Sequence, residues 1–233
     1  MQQTRKYVRL LHTADLHMGS DVYAEEAVTG LNSILDLART QKVDAVLVAG
    51  DLFDASRIST QVVEYTFDSF AKMQCPIVVL PGNHDTLLIE LSKLPVQPPS
   101  NVHVLRGQSG EMVSFDTLGF SVWGKPVYDH TPEFKPLGEP FARPRDGWYI
   151  IIAHGLLAEG IATIGRSSLI TRDELQRTDC DYIALGHVHR LWNVTTGGPP
   201  AFYSGAPSGT RQPTTVIVHL VPSTGVIVEP FKL

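Results

Sequence analysis

Five stretches of this chain carry side chains suited to holding metal ions: Asp15-Leu16-His17, Gly50-Asp51-Leu52-Phe53-Asp54, Gly82-Asn83-His84-Asp85, His154, and Gly186-His187-Val188-His189. Taken singly, each imidazole or carboxylate is an ordinary solvated or hydrogen-bonded group. Together they form a donor set of carboxylate, amide oxygen and imidazole without thiolate. That set suits Mn²⁺, Fe or Zn²⁺ and, less naturally because of the imidazoles, Mg²⁺. In an extended segment residues i and i+2 point the same way, so Asp15 with His17, and His187 with His189, can each present two ligands to one place. The donors are too many for one ion. A pair of ions sharing the Asp51 carboxylate accounts for them, and two-metal sites with ions ~3.5 to 4 Å apart suit in-line displacement at phosphorus.

Each group follows an apolar run. Residues 7–11, 44–49 and 76–80 read as strands, and residues 24–41 and 60–73 place apolar side chains at helical spacing between them. Strand, helix, strand, helix, strand at these lengths predicts parallel β-α-β units. Ligands of open α/β sheets gather at the carboxyl ends of strands, where Asp or Asn with a nearby His follows each of these three. Gly50, Gly82 and Gly186 are expected to permit the sharp departures that turn the side chains inward. Asp85 reads as a loop-capping carboxylate.

Further on, residues 86–93 predict a short helix, and residues 102–105, 112–115 and 120–123 predict strands of an antiparallel section. Residues 125–147 carry five prolines and read as a surface connection, with a substrate-recognition lid as the functional alternative. A strand over 148–153 leads to His154, Thr171-Arg172-Asp173-Glu174 fits a helix-capping box, and a strand over 182–185 leads to Gly186. Strands near 201–203, 215–220 and 226–231 close the chain. The run after His189 is expected to complete the second sheet. No repeat or interdomain linker interrupts the pattern, which predicts one domain over residues 1–233.

Composition narrows the function classes. A chain of 233 residues with 43% hydrophobic content can bury a sizeable core. No apolar run approaches the ~20 residues of a membrane span, and the first residues lack the apolar segment of a signal peptide, so a cytoplasmic location is the default expectation. Cys75 and Cys180 are too few for a disulfide framework and read as buried thiols. The net charge of −5 argues against a broadly basic nucleic-acid surface. It leaves phosphoester chemistry open, because bound divalent cations reverse the local field.

The ordered set Asp-x-His, Gly-Asp-x-x-Asp, Gly-Asn-His-Asp, His and Gly-His-x-His resembles the signature of the calcineurin-like metallophosphoesterase superfamily, with every element intact. The wording from His12 to Gly19, around Gly50 to Asp54, and from Ala184 to His189 with Tyr203-Ser204-Gly205-Ala206-Pro207, is similar to the SbcD-type DNA-repair exonuclease branch, over the nuclease domain alone. The resemblance implies an α/β fold, a two-sheet mixed β-sandwich flanked by helices. It implies that Asp15, His17, Asp51 and His189 hold one divalent ion, and that Asp51, Asn83, His154 and His187 hold the other. Mn²⁺ is the expected metal, with a hydroxide between the two ions as nucleophile. By the same resemblance His84 donates a proton to the leaving oxygen and Asp54 orients it, and a neighbouring carboxylate favours the protonated donor.

The implied activity is phosphodiester hydrolysis, as an exo- or endonuclease on DNA, with a hydrolase of nucleotides, cyclic nucleotides or glycerophosphodiesters as the alternative. Protein phosphatases of the superfamily carry Arg directly after the second Asp of the Gly-Asp motif, where this chain has Ala55, with Arg57 nearby; that reading is disfavoured. Nothing matches the capping domain of the nuclease branch or the tail that docks its coiled-coil ATPase, so no ATPase partner and no membrane are expected. A non-enzymatic scaffold would lack a ligand, and none is missing. Gly165-Arg166-Ser167-Ser168 is a further candidate phosphate contact.

Overall fold

The opening alternation forms as strand β1 (Val8–Thr13), helix α1 (Ala24–Gln41), β2 (Ala45–Ala49), α2 (Thr60–Ala71) and β3 (Ile77–Leu80). The computed structural model describes residues 5–54, 58–140, 142–159 and 166–233. Helix α1 buries Ala27, Leu31, Ile34, Leu35 and Ala38, a stripe at three- and four-residue spacing, and stops at Lys42 in the left-handed region at φ 51°. Helix α2 begins where the Ser59 hydroxyl accepts from the Val62 N–H. Helix α3 (Thr86–Ile89) and a 3₁₀ turn (Leu91–Lys93) divide what the sequence reads as one short helix.

The remaining strands are β4 (Val102–Val104), β5 (Glu111–Phe115), β6 (Phe120–Gly124), β7 (Trp148–His154), β8 (Leu156–Leu157), β9 (Leu169–Ile170), β10 (Tyr182–Gly186), β11 (Leu191–Asn193), β12 (Ala201–Ser204), β13 (Thr214–Val221) and β14 (Gly225–Lys232), with helix α4 (Arg172–Arg177) between β9 and β10. One sheet has the order β14-β13-β1-β2-β3-β4 and the other β11-β12-β10-β7-β6-β5. Each is parallel at its centre: β1 to β4 run together, as do β6, β7, β10 and β12. Strands β8 and β9 pair apart.

Alternation along the strands sorts the core into layers. Leu10, Ala14, Leu47, Ala49, Val78 and Leu80 meet Val122, Ile150, Ile152 and Ala184 between the sheets. Leu11, Val46, Val48 and Val79 face the other way, onto α1 and α2. Beyond the second sheet, Ile151, Ile183 and Tyr203 pack with Leu175 of α4. At ~1.5 to 3 kcal/mol per fully buried large apolar side chain, these layers supply the main force against chain entropy. This is the expected two-sheet α/β sandwich.

Several expectations change. Residues 102–105 do not open an antiparallel section; β4 pairs parallel to β3 in the first sheet, and of these three strands β5 and β6 alone pair antiparallel. Nor does the run after His189 complete one sheet, for β11 and β12 join the second and β13 and β14 the first. Strand β1 runs past the predicted end at residue 11 to take in His12 and Thr13. Cys180 is buried but Cys75 only half-buried; burial pushes these free thiols up to about 12 and about 11. The described part of 125–147 has no helix or strand, yet it buries Val127, Phe134 and Leu137. The Val127 N–H also donates to the Pro81 carbonyl at 3.0 Å, which favours an anchored connection over a lid. The Thr171 capping box is present in full. No helix among the described residues is long and apolar enough to cross a membrane.

Candidate metal centre

The carboxyl ends of β1, β2, β3, β7 and β10 lie along one edge of the sandwich, and the loops leaving them carry the donors. Main-chain bonds zip the first two loops together: Asp15 N–H donates to Gly50 O at 3.0 Å, His17 N–H to Asp51 O at 3.0 Å, and Met18 N–H to Leu52 O at 2.8 Å. Asp85 staples the loops after β2 and β3, its buried carboxylate accepting from the N–H groups of Leu52, Phe53 and Gly82 at 3.0, 2.8 and 2.9 Å. It is the loop-capping group the sequence suggests.

The donor segments are not extended. Asp15, His17, Asp51 and His187 have φ of 55°, 49°, 52° and 94°, a region that costs an L residue roughly 1 to 3 kcal/mol. Consequently i and i+2 do not simply share a direction, and His187 and His189 enter different clusters. Of the three glycines, only Gly50 needs a positive φ, at 93°. Gly82 and Gly186 serve close approach: a Cβ on Gly82 would lie 2.2 Å from Asp51 Oδ1, and one on Gly186 1.7 Å from Ala49 O.

Asp51, His154 and His187 form one cluster and Asp15, His17 and His189 another. In the first, His154 Nε2 lies 3.0 Å from Asn83 Oδ1, 3.3 Å from Asp51 Oδ2 and 3.3 Å from His187 Nδ1, while His187 Nδ1 is 3.1 Å from Asn83 Oδ1. In the second, His17 Nε2 is 3.3 Å from His189 Nε2, and His189 Nε2 is 3.7 Å from Asp15 Oδ1. Asp51 Oδ2 reaches toward both, 3.9 Å from His17 Nε2. Two donors bound at about 2.0–2.1 Å to one ion stand about 3.0–3.4 Å apart.

The first cluster needs a positive charge. His154 Nδ1–H donates to Ala49 O at 2.8 Å, so the neutral ring turns the Nε2 lone pair toward the Asn83 oxygen and the Asp51 carboxylate. Convergent lone pairs repel unless a proton or a cation lies among them. Burial would depress His154, but the Asp51 and Asp15 carboxylates outweigh it and push it up to about 9. Burial pushes Asp15 up to about 7 despite His154, whereas Asp51, which burial would raise, is held below the usual carboxylate range by His154 and the His84 N–H. Burial lowers His17 and His189, and burial with His154 brings His187 down to about 4, leaving these rings neutral as ligation requires. Donor type, spacing and charge therefore fit divalent ions.

Asp54 stands differently from its expected place. Its Oδ1 lies 2.8 Å from His17 Nδ1 but 3.5 Å from His84 Nδ1, and it is the Asp54 main-chain carbonyl, at 2.8 Å, that accepts from His84 Nδ1–H. His17, Asp54 and His84 thereby make a third grouping. The His84 main-chain N–H donates to Asp51 Oδ1 at 2.9 Å, and its half-open ring stands perpendicular to His17 with centroids 5.0 Å apart. Tyr23, which no sequence motif marks, packs edge-on to His17 at 6.2 Å. Ala55, Arg57 and Gly165 lie outside the described residues. Arg166 is exposed and outside all three groupings.

Fold and donor set together define a phosphoesterase, and the sequence agrees: residues 8–191 match the model of the calcineurin-like phosphoesterase family, and the chain belongs to that family of phosphate-ester hydrolases. Among curated relatives it is 29% identical to the uncharacterized metallophosphoesterase YhaO of Bacillus subtilis, over 84% of this chain and 52% of that protein. It is 25% identical to SbcD of the SbcCD nuclease of Bacillus subtilis, over 86% of this chain and 61% of that protein. The chain thus spans only part of the length of either relative. Among solved structures, TT1561 of Thermus thermophilus shares the fold with a TM-score of 0.63 at 12% identity, over 97% of this chain and 99% of that one.

Proposed function

We propose that the protein is a dinuclear-metal phosphodiesterase of the SbcD-like nuclease branch, acting on DNA. The observation that carries this is the convergence of Asp51, Asn83, His154 and His187 at donor separations of 3.0–3.3 Å, next to a second cluster that Asp51 Oδ2 also approaches. In this reading Asp15, His17, Asp51 and His189 hold one ion and Asp51, Asn83, His154 and His187 the other, with Mn²⁺ as the native metal. Two such ions supply Lewis-acid polarisation of the phosphate and acidification of a water. The chain's own part is geometric. Asp54 Oδ1 stands 2.8 Å from His17 Nδ1, a charge contact without the alignment of a hydrogen bond, and His17 Nε2 is left to the centre. Because the Asp54 carbonyl takes the Nδ1–H of His84, a second proton on that ring sits at Nε2, where it is available to a departing oxygen.

The net charge of −5 favours a second reading, in which the same centre cleaves small diesters. Chelated protein reloaded with Mn²⁺ should cleave single- or double-stranded DNA and a bis-aryl phosphate, and lose both activities on chelation. Good turnover of the bis-aryl ester with no DNA degradation would replace the nuclease reading by the second one.

A further inference from the structure

A groove of about 530 Å³ opens beside His189, between strand β11 and the facing ends of β13 and β14. Arg190, Arg211 and Lys232 line it, over a floor that includes the buried Thr214 and the half-buried Phe231. The floor is pinned: Thr214 Oγ1 donates to Ser204 O at 2.9 Å, and Gly205 lies so close that a Cβ there would be 2.1 Å from Thr214 Oγ1. The Arg190 guanidinium rests 4.7 Å from the Trp192 ring centroid, and Trp192 is stacked on Tyr203.

Among the described residues no carboxylate side chain lines the groove, and none of its three cations is held in an ion pair. Glu229, the one carboxylate of β14, is turned to His219 at 3.1 Å. In a chain of net charge −5, three uncompensated cations around one groove leave a local positive field that a polyanion would neutralise. An arginine held on an aromatic plane presents its N–H edge to an oxyanion in a fixed direction. The groove shares His189 with the metal cluster, which puts an anion bound in it next to the centre.

We propose that this groove binds a second phosphate of the substrate, flanking the scissile diester, so that the preferred substrates are nucleotides with at least two phosphates. This rests on the diesterase reading above. The source of that phosphate is either a terminal phosphate of a short nucleotide or the next link of a polynucleotide strand. The test uses Mn²⁺-loaded protein and its Arg211→Gln/Lys232→Gln variant. Substrates are a bis-aryl phosphate, a dinucleotide with and without an added terminal phosphate, and a short single-stranded oligonucleotide. The added phosphate should raise kcat/KM of the wild type by about tenfold, and the variant should lose most of that gain, with a shallower salt dependence. A gain confined to the oligonucleotide, and lost in the variant, supports the proposal with the strand as source. A wild type indifferent to the second phosphate, or a gain the variant retains, overturns it while bis-aryl turnover leaves the diesterase reading intact. If the bis-aryl ester alone is cleaved, the dinucleotides are compared as inhibitors, and equal inhibition overturns the proposal. Absence of all diester turnover removes the diesterase reading and this inference with it.

Discussion

His84 is tethered at both ends of its residue, by its N–H to Asp51 Oδ1 and by its ring to the Asp54 carbonyl. Its Nδ1 being taken, Nε2 is the ring nitrogen left for a substrate, and 43% of the side chain is exposed. Replacing it with alanine should therefore slow diester cleavage by about 10²- to 10⁴-fold, the usual span for a general acid. Metal content should be unchanged, because the donors of the two clusters are other side chains. Turnover of the His84→Ala variant together with metal analysis checks both parts, and an unchanged rate would refute the role. At this scale the sequence was informative about residue type and silent about pairing. Asp54 was expected at His84, yet its carboxylate is nearer His17. One χ rotation decides which neighbour a carboxylate meets, and residue spacing does not encode it.

The elements that matter most to the site are the loops, and a single carboxylate ties two of them. Asp85 takes three main-chain N–H groups from the loops after β2 and β3 and is wholly buried. Removing it as Asp85→Ala strands those donors at about 1 to 3 kcal/mol each, so the loss of stability should be about 3 kcal/mol or more. Urea unfolding measures it, and a loss under about 1 kcal/mol would mean that water replaces the carboxylate. The apolar periodicity of α1 predicted its bounds, because a stripe at helical spacing is a local property. The two-residue strands β8 and β9 left no such trace. Neither did the allocation of β4, since a three-residue strand such as Val102-His103-Val104 pairs equally well in either direction until its neighbour is known.

On the scale of the molecule, a polar tie crosses the core between the sheets. The Tyr182 hydroxyl donates to His12 Nδ1 at 2.9 Å and His12 Nε2–H donates to Leu185 O at 3.2 Å, so the neutral ring is fully satisfied. Burial pushes His12 down to about 3, against a smaller opposing effect of the Leu185 carbonyl. The unfolded chain binds a proton at His12 below its ordinary value of 6.5, whereas the folded chain binds it only near 3. Its stabilising effect is thus complete above 6.5 and falls as pH drops toward 3, by about 1.4 kcal/mol per pH unit. Urea unfolding of wild type and His12→Gln at a series of pH values below 6.5 should show the variant with a shallower acid slope by about that amount. Parallel slopes would place the acid sensitivity elsewhere.

The sequence by itself determined the donor inventory, its position at strand ends, and the alternation of strand and helix that brings those ends to one edge. All of these are local properties of residue type and period. The tertiary structure alone decided that the Asp54 carboxylate stands nearer His17 than His84 and that Gly82 and Gly186 serve close approach. It also decided that Arg190, Arg211 and Lys232 share a groove. The reason is physical: these outcomes depend on the left-handed backbone at Asp15, His17, Asp51 and His187, and on strands distant in sequence meeting across a sheet. Contacts beyond the reach of any local pattern hold both.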